Sequence, residues 1–216
     1  MAPYSTGSSI IAIKYRDGVM IAGDTLVSYG SMARFKGMKR VFALNEQIII
    51  GYSGDEADFE AVKESLDEIV ESDYLVNDNH HRNAKDLFNL LGALFYQKRS
   101  KMEPFWNTIF IGGHDRSGAP FLGSCDIYGT AIQDDYLASG MGRSIALPLI
   151  RDRHRPDMTE DEARNLLIEA LKLCFYRDCR ASQEIAIATV SHQGTSVSEK
   201  IKLVCNWDQT RDPIIE

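Results

Sequence analysis

The sequence lacks several features that would each indicate a particular class of protein. It has four cysteines (Cys125, Cys174, Cys179 and Cys205) but no CxxC pair. Scattered cysteines are typical of reduced thiols in an intracellular protein and do not indicate a disulfide framework or a zinc site. The five histidines form no HExxH motif, and the chain has no P-loop, no GxGxxG and no internal repeat. We therefore expect no metal and no cofactor.

Excess positive charge and long apolar runs are also missing. The chain has 24 Lys and Arg against 31 Asp and Glu, a net charge of −7. An acidic chain without a basic patch is not expected to bind nucleic acid. No apolar run approaches the roughly 20 residues of a membrane span. The start, MAPYSTG, has neither the charged nor the apolar segment of a secretory signal, so we expect no membrane contact.

The sequence has enough apolar residues for one large core. It is 216 residues long and 44% hydrophobic, which suffices for a single well-packed domain. Only six prolines are present, and no Pro-, Gly- or Ser-rich stretch divides the chain. We therefore predict one domain without an internal linker.

Residues 7–40 have the pattern of a small independent unit. Residues 9–15 alternate as a half-buried strand does, and Asp17-Gly18 predicts a two-residue hairpin because Gly tolerates positive φ. The returning strand, 19–22, brings Asp24 beside the start of the first strand. A small hydroxyl residue, a carboxylate and a base close together are typical of a nucleophile's surroundings.

The rest of the chain predicts two blocks of strands, each followed by a pair of helices. Strands are expected at 39–44, 47–52, 106–112, 120–126, 128–133, 136–139, 184–191 and 199–205. One helix is expected to start at Ser53-Gly54-Asp55, a third to span about 140–152, and a fourth to start at a Thr159–Glu162 capping box. The second helix is expected to direct inward Leu87, Leu90, Leu91, Leu94 and Phe95. This order favours an α+β fold with four layers, αββα.

Three sequence runs resemble a known family. They are GVMIAGD (18–24), GYSGDEADF (51–59) and FYRD (175–178). With the layer order, they are similar to the N-terminal nucleophile hydrolases and, more narrowly, to the proteasome β subunits, over residues 7–207. The runs SYGSMARF, RSKMEPFWNT followed by IGG, and CNWD resemble a eukaryotic β subunit that has no peptidase activity. The resemblance implies a short leader (1–7), one domain (8–207) and a C-terminal tail (208–216).

The resemblance also implies where catalytic groups would lie. In active members, self-cleavage after a Gly frees the α-amine of a Thr, whose hydroxyl then attacks a peptide carbonyl. Carried over position by position, the nucleophile falls on Ser8, the acid on Asp24, the lysine on Arg40, the oxyanion-hole glycine on Gly54, the first serine on Met141, the second acid on Asp178 and the last serine on Ala181. Four of these seven positions are altered, at Ser8, Arg40, Met141 and Ala181. The unaltered acids, Asp24 and Asp178, are interpreted as buried carboxylates that pair with Arg40 and Arg177. Because an arginine holds its proton and offers a planar fork, we expect a subunit without catalysis.

The expected role is structural. The family's particle is a hetero-oligomer of α and β subunits in four stacked seven-membered rings, which degrades proteins in the ATP- and ubiquitin-dependent pathway of the cytoplasm and nucleus. The resemblance implies contacts with neighbouring α and β subunits and with the opposite β ring through the tail. The tail residues that we assign to this contact are Asn206, Trp207, Asp208, Ile214, Ile215 and Glu216.

Two alternatives from other classes stay open at this point. One is an active threonine-type peptidase subunit that uses Ser8 after processing at Gly7. The other is a free-standing domain of the same fold with an unrelated binding role, which would elute near its own 24.2 kDa and not as a large particle.

Overall fold

The computed structural model describes residues 5–76, 81–198 and 200–210. Fourteen strands lie in these ranges: β1 Thr6–Gly7, β2 Ile10–Tyr15, β3 Gly18–Asp24, β4 Leu26–Tyr29, β5 Met32–Lys36, β6 Val41–Ala43, β7 Ile49–Asp55, β8 Asn107–His114, β9 Pro120–Cys125, β10 Ala131–Gln133, β11 Tyr136–Ala138, β12 Glu184–Ser191, β13 Gly194–Val197 and β14 Ile201–Lys202. The five helices are α1 Glu56–Val76, α2 Ala84–Ser100, α3 Gly142–Ile145, α4 Leu147–Arg153 and α5 Glu160–Arg177, and a 3₁₀ turn follows at Trp207–Thr210.

The strands form two antiparallel sheets. The first has the order β10-β9-β8-β7-β1-β4-β5, with β6 paired to β7. The second has the order β11-β2-β3-β12-β13, with β14 paired to β12. The hairpin of β2 and β3 sets Ile10 opposite Gly23, so the chain returns to its starting point just before Asp24.

The two sheets pack face to face and carry helices on their outer sides. The core between the sheets includes Ile10, Ile21, Ile49, Phe110 and Leu122. A second core joins the first sheet to α1 and α2, and a third joins the second sheet to α3, α4 and α5. The predicted αββα sandwich is therefore confirmed, because each sheet has apolar side chains on both faces and needs a covering layer on each.

The capping box predicted for the last long helix is present. The Thr159 hydroxyl accepts from the Glu162 N–H at 3.3 Å, and the Glu162 carboxylate accepts from the Thr159 N–H at 2.9 Å. These two bonds satisfy donors that the first turn of a helix otherwise leaves free.

The predicted Asp17-Gly18 turn is wrong by one residue. Tyr15 pairs with Gly18, so the two-residue loop is Arg16-Asp17 and Gly18 is the first residue of β3. Gly18 is not in the left-handed region. It is needed for another reason, since a Cβ there would lie 1.9 Å from the carbonyl oxygen of Val190 on β12. The glycine permits close approach of two strands.

The predicted helix start at Ser53-Gly54-Asp55 is also wrong, because β7 continues through Asp55. The cap is the Asp55 carboxylate, whose Oδ1 accepts from the N–H groups of Ala57 and Asp58 at 3.0 and 3.3 Å. The Ser53 hydroxyl is not the cap.

The third predicted helix is two helices that meet at Ala146. Pro148 in the first turn of α4 has no N–H to donate back to the preceding turn, which ends α3 there. Four strands were not predicted at all: β1, β4, β5 and β13. The strand expected at 199–205 is present only as β14, Ile201–Lys202. Every residue of β5 is exposed, so no alternation of apolar and polar residues marks it in the sequence.

The described ranges contain neither a helix with the length and apolarity to cross a membrane nor a group of three or more His, Cys, Asp or Glu side chains placed to hold a metal ion.

Candidate functional site

Ser8 lies in the short segment between β1 and β2, and its side chain is buried. Its Oγ donates to Oδ2 of Asp178 at 2.5 Å. Asp178 follows directly after α5, and its other oxygen accepts from the Arg180 N–H at 2.9 Å. The fold thus brings together two predicted site residues that are 170 positions apart.

Arg40 is the centre of the site and is 1% exposed. Its guanidinium donates to three backbone carbonyls, those of Asp24 at 2.9 Å, Ser8 at 3.1 Å and Ser9 at 3.3 Å. It also forms an ion pair with the buried carboxylate of Asp24. That carboxylate in turn accepts from the Ser182 N–H at 2.8 Å. The expected structural ion pair of Asp24 and Arg40 is therefore present.

Arg40 keeps its positive charge although it is buried. Burial lowers the pKa of the guanidinium to about 10, and the nearby Tyr52, Glu56 and Asp178 act in the opposite direction. The group remains protonated at neutral pH and cannot take a proton from Ser8. A planar fork that binds three carbonyls and a carboxylate fixes geometry, which is the property that distinguishes arginine from lysine.

Thr6 and Gly7, from the predicted leader, lie within the first sheet, and Ser5 precedes them. Thr6 and Gly7 pair with β4 on one side and with β7 on the other. The Ser5 carbonyl accepts from the Glu56 N–H at 3.0 Å, and the Ser5 N–H donates to the Asp55 carboxylate at 3.3 Å. Ser8 therefore follows a strand that is paired on both edges.

Gly54 lies between Gly7 of β1 and Asn107 of β8. Its φ is +107°, and a Cβ would lie 2.0 Å from the carbonyl oxygen of Trp106. The position that the resemblance gives to an oxyanion-hole glycine thus faces the chain's own strand. The residue must be glycine for steric reasons alone.

The predicted positions Met141 and Ala181 lie beside the site without contributing a side-chain hydrogen bond. Met141 precedes α3, and its side chain is exposed. The turn that carries it is close, since a Cβ on Gly140 would lie 3.4 Å from the Ser8 and Ser9 backbone. Ala181 donates its N–H to the Asp178 carbonyl at 3.1 Å.

Two hydroxyls that we did not predict join this turn to the start of β2. Ser9 Oγ accepts from the Gly142 N–H at 2.8 Å, and Ser139 Oγ accepts from the Ile10 N–H at 3.1 Å. Both satisfy buried backbone donors. A small polar residue next to Gly140-Met141-Gly142 was the available signal for Ser139.

The interpretation that Asp178 pairs with Arg177 is wrong. Its two oxygens bind the Ser8 hydroxyl and the Arg180 N–H instead. The described side chains around Ser8 are a guanidinium and two carboxylates, and none of them carries an amine or an imidazole that could act as general base. The arrangement can hold the strand junction rigidly, which is a structural task.

The start of the tail is packed against the end of α5. The Tyr176 hydroxyl donates to the Asn206 carbonyl at 3.1 Å and accepts from the Asn206 N–H at 2.6 Å. The Trp207 ring lies 4.9 Å from that of Tyr176 in an edge arrangement, and the Asp208 N–H donates to the Asn206 side chain at 3.0 Å. The other assigned tail residues, Ile214, Ile215 and Glu216, lie outside the described residues.

Comparison with known proteins gives consistent matches over most of the chain. The family described as proteasome subunit matches residues 4–190. "Proteasome subunit beta type-4" of Xenopus laevis is 38% identical over 208 residues, covering 95% of this chain and 86% of that protein. The protein of the same name from Arabidopsis thaliana is 35% identical, covering 95% and 83%. "Proteasome subunit beta type-7" of Saccharomyces cerevisiae is 34% identical, covering 97% and 83%.

Proposed function

Because this chain belongs to the proteasome subunit family, as a β subunit, we propose that it has no peptidase activity of its own and acts in building the particle. One observation supports this most strongly. Ser8 follows a strand that is paired on both sides, and its hydroxyl is bonded to Asp178. Ser8 would gain the free α-amine that a nucleophile of this family needs only by cleavage at Gly7, and that cleavage would cut the chain at the end of a strand that the first sheet holds on both edges.

Two measurements on the native particle test this proposal. The intact mass of the chain should correspond to a start before Ser8, which leaves no free α-amine beside the hydroxyl. A peptide vinyl sulfone, which alkylates an activated hydroxyl, should label other β subunits of the particle and leave this chain unlabelled. The labelled neighbours are the internal control. A mass that starts at Ser8 together with labelling of this chain would contradict the proposal and support the active alternative.

The proposed partners are the neighbouring α and β subunits of the particle and the opposite β ring. The sites of action would be the cytoplasm and the nucleus, within ubiquitin-dependent protein degradation. Size-exclusion chromatography distinguishes a ring subunit from a free-standing domain. A ring subunit should elute with a particle of many subunits, and a free-standing domain should elute near 24.2 kDa.

We assign the contact with the opposite ring to the tail. The packing of Asn206 and Trp207 on Tyr176 supports this assignment, since it fixes the start of the tail against the end of α5. A tail with a fixed origin loses less conformational entropy when it binds than one that is free along its whole length.

Deletion of residues 208–216 should slow the joining of two half-particles, because the segment that would cross to the opposite ring is gone. The rate can be followed by native gel electrophoresis of particles assembled with the truncated chain. A Tyr176→Phe variant is the matched comparison, since it keeps the tail and the ring but cannot donate to the Asn206 carbonyl. It should slow assembly less than the deletion. Normal assembly by the truncated chain would contradict the assignment.

A further inference from the structure

Two histidine rings stack on each other at the end of β8 that lies away from the site around Ser8. The ring centroids of His114 and His192 are 4.2 Å apart, and the ring planes are inclined by 27°. His114 is the last residue of β8, in the first sheet, and His192 lies in the turn between β12 and β13, in the second sheet. This pair, the histidine clasp, therefore joins the two sheets.

Three turns of the chain meet at the histidine clasp. Gly18 pairs with Ser191, which sets the loop between β2 and β3 beside the turn that carries His192. A Cβ on Gly118, in the turn between β8 and β9, would lie 3.9 Å from the His192 ring. Movement of either ring therefore affects the contact between turns of both sheets.

The polar atoms of His114 suit the neutral form of its ring. The ring is hydrogen-bonded to the backbone of Asp17, in the loop between β2 and β3. The Nε2 atom is buried and finds no hydrogen-bond partner among the described residues. A neutral imidazole has one N–H donor, whereas a protonated imidazole has two. A proton on Nε2 would thus create a buried donor without an acceptor, which is unfavourable.

The carboxylates closest to this ring already have partners. The Asp115 carboxylate, in the turn after β8, accepts from the N–H groups of Ser117 and Ala119 at 2.8 and 3.1 Å. The Asp17 carboxylate pairs with the Arg16 guanidinium at 3.1 Å. Neither carboxylate is reserved for a positive charge on the clasp.

The titration of His114 agrees with this geometry. Burial, and then the neighbouring His192, lower the pKa of His114 from its ordinary value of 6.5, while the bond to Asp17 and the charge of Asp115 act in the opposite direction. The folded chain therefore binds a proton at His114 less readily than the unfolded chain does. The stability that the neutral ring contributes is complete well above pH 6.5 and is lost as the pH falls through 6.5 toward the lowered pKa.

We propose that the histidine clasp is a pH-sensitive contact, which holds the two sheets together at this end while both rings are neutral and opens when both are protonated. Protonation sets two positive charges in one stack and leaves the buried Nε2–H of His114 without an acceptor. The start of β8 is paired with Gly54 and stays closed. The proposal does not rest on the proposed function, because it concerns contacts within one chain.

Hydrogen exchange of the full-length chain at about pH 7.5 and about pH 5.5, on either side of the ordinary histidine pKa, tests the proposal. After correction for the intrinsic effect of pH, protection of the amides at the end of β8 and in the turn after β12 should fall about tenfold at the lower pH, because lowering a pKa by one changes the equilibrium tenfold. The amides at the start of β8 should keep their protection. Protection that does not change with pH, or that falls equally along β8, would overturn the proposal.

A His192→Phe variant provides the second measurement. Phenylalanine keeps a ring beside His114 but carries no charge, so protection at the lower pH should fall only about threefold, and the pKa of His114 followed by NMR should rise. His81→Phe is the matched control, since His81 is also exposed and stacked on an aromatic ring, that of Tyr74 at 4.8 Å, and it should keep the tenfold fall. Both replaced side chains are exposed, so both variants should fold. An equal loss of protection in the two variants would overturn the proposal.

Discussion

Arg40→Met should destabilise the fold by about 3–5 kcal/mol, the usual result of removing one partner of a buried ion pair. The substitution leaves the buried Asp24 carboxylate without its counter-charge. It also removes the donors to the carbonyls of Asp24, Ser8 and Ser9. Since domains are typically stable by only about 5–15 kcal/mol, the loss is a large part of the total. The measurement is urea unfolding of the purified chain, followed by tryptophan fluorescence.

Arg16→Met is the matched control for this prediction. Arg16 is exposed and pairs with the exposed Asp17, so the same change in charge and size should cost less than about 1 kcal/mol. Arg40→Lys should fall between the two, because lysine keeps the charge but cannot reach all three carbonyls with a planar fork. If the free energy of unfolding of Arg40→Met lies within about 1 kcal/mol of the wild-type value, Arg40 does not hold the segment between β1 and β2 as we describe.

Gly54→Ala should destabilise the fold by at least about 4 kcal/mol, since backbone strain and overpacking act together. The residue has φ +107°, and the new Cβ would overlap the backbone carbonyl oxygen of Trp106, 2.0 Å away. The Trp106 carbonyl is a backbone group just before β8 that accepts from the Asp55 N–H at 2.9 Å, so it cannot move aside as the end of a flexible side chain can. We expect the pairing of β7 with β8 to open locally, which hydrogen exchange of the amides of both strands would detect.

The Gly30→Ala variant separates the effect of backbone strain from that of overpacking. Gly30 has φ +58°, and a Cβ there would meet nothing within 4 Å. This substitution therefore introduces backbone strain without a clash and should cost about 1 kcal/mol. Similar losses for the two alanine variants would show that the contact with Trp106 can relax, and would contradict the account given for Gly54.

The sequence predicted the elements whose signals are local. The capping box at Thr159 and Glu162 depends on residues three apart, and the burial of Leu87, Leu91 and Phe95 on a helical repeat, so both were visible without a structure. Leu90 and Leu94, also expected to point inward, are only half-buried. The layer order followed from the sequence of strands and helices. The strands that were missed, β1, β4, β5 and β13, have two to five residues each, and the exposed β5 has no alternating pattern.

The turn at Arg16-Asp17 shows where local rules mislead. Asp-Gly is a strong hairpin signal, but at this place the glycine is required by a strand that comes more than 170 residues later, at Val190. The strand end at Ser53-Gly54-Asp55 is a similar case. A hydroxyl followed by an acid predicts a helix cap, and pairing with β1 and β8 extends the strand past it.

By itself the sequence determined the residues around Ser8, the resemblance to proteasome β subunits and the four-layer order of the fold, because motifs and hydrophobic periodicity are properties of neighbouring residues. Only the tertiary structure decided which partner each polar group takes. In the structure the Asp178 carboxylate accepts from the Ser8 hydroxyl and does not pair with Arg177. The Arg40 guanidinium donates to three backbone carbonyls. Such pairings join positions up to 170 residues apart, and they follow from which buried donors and acceptors the folded chain must satisfy.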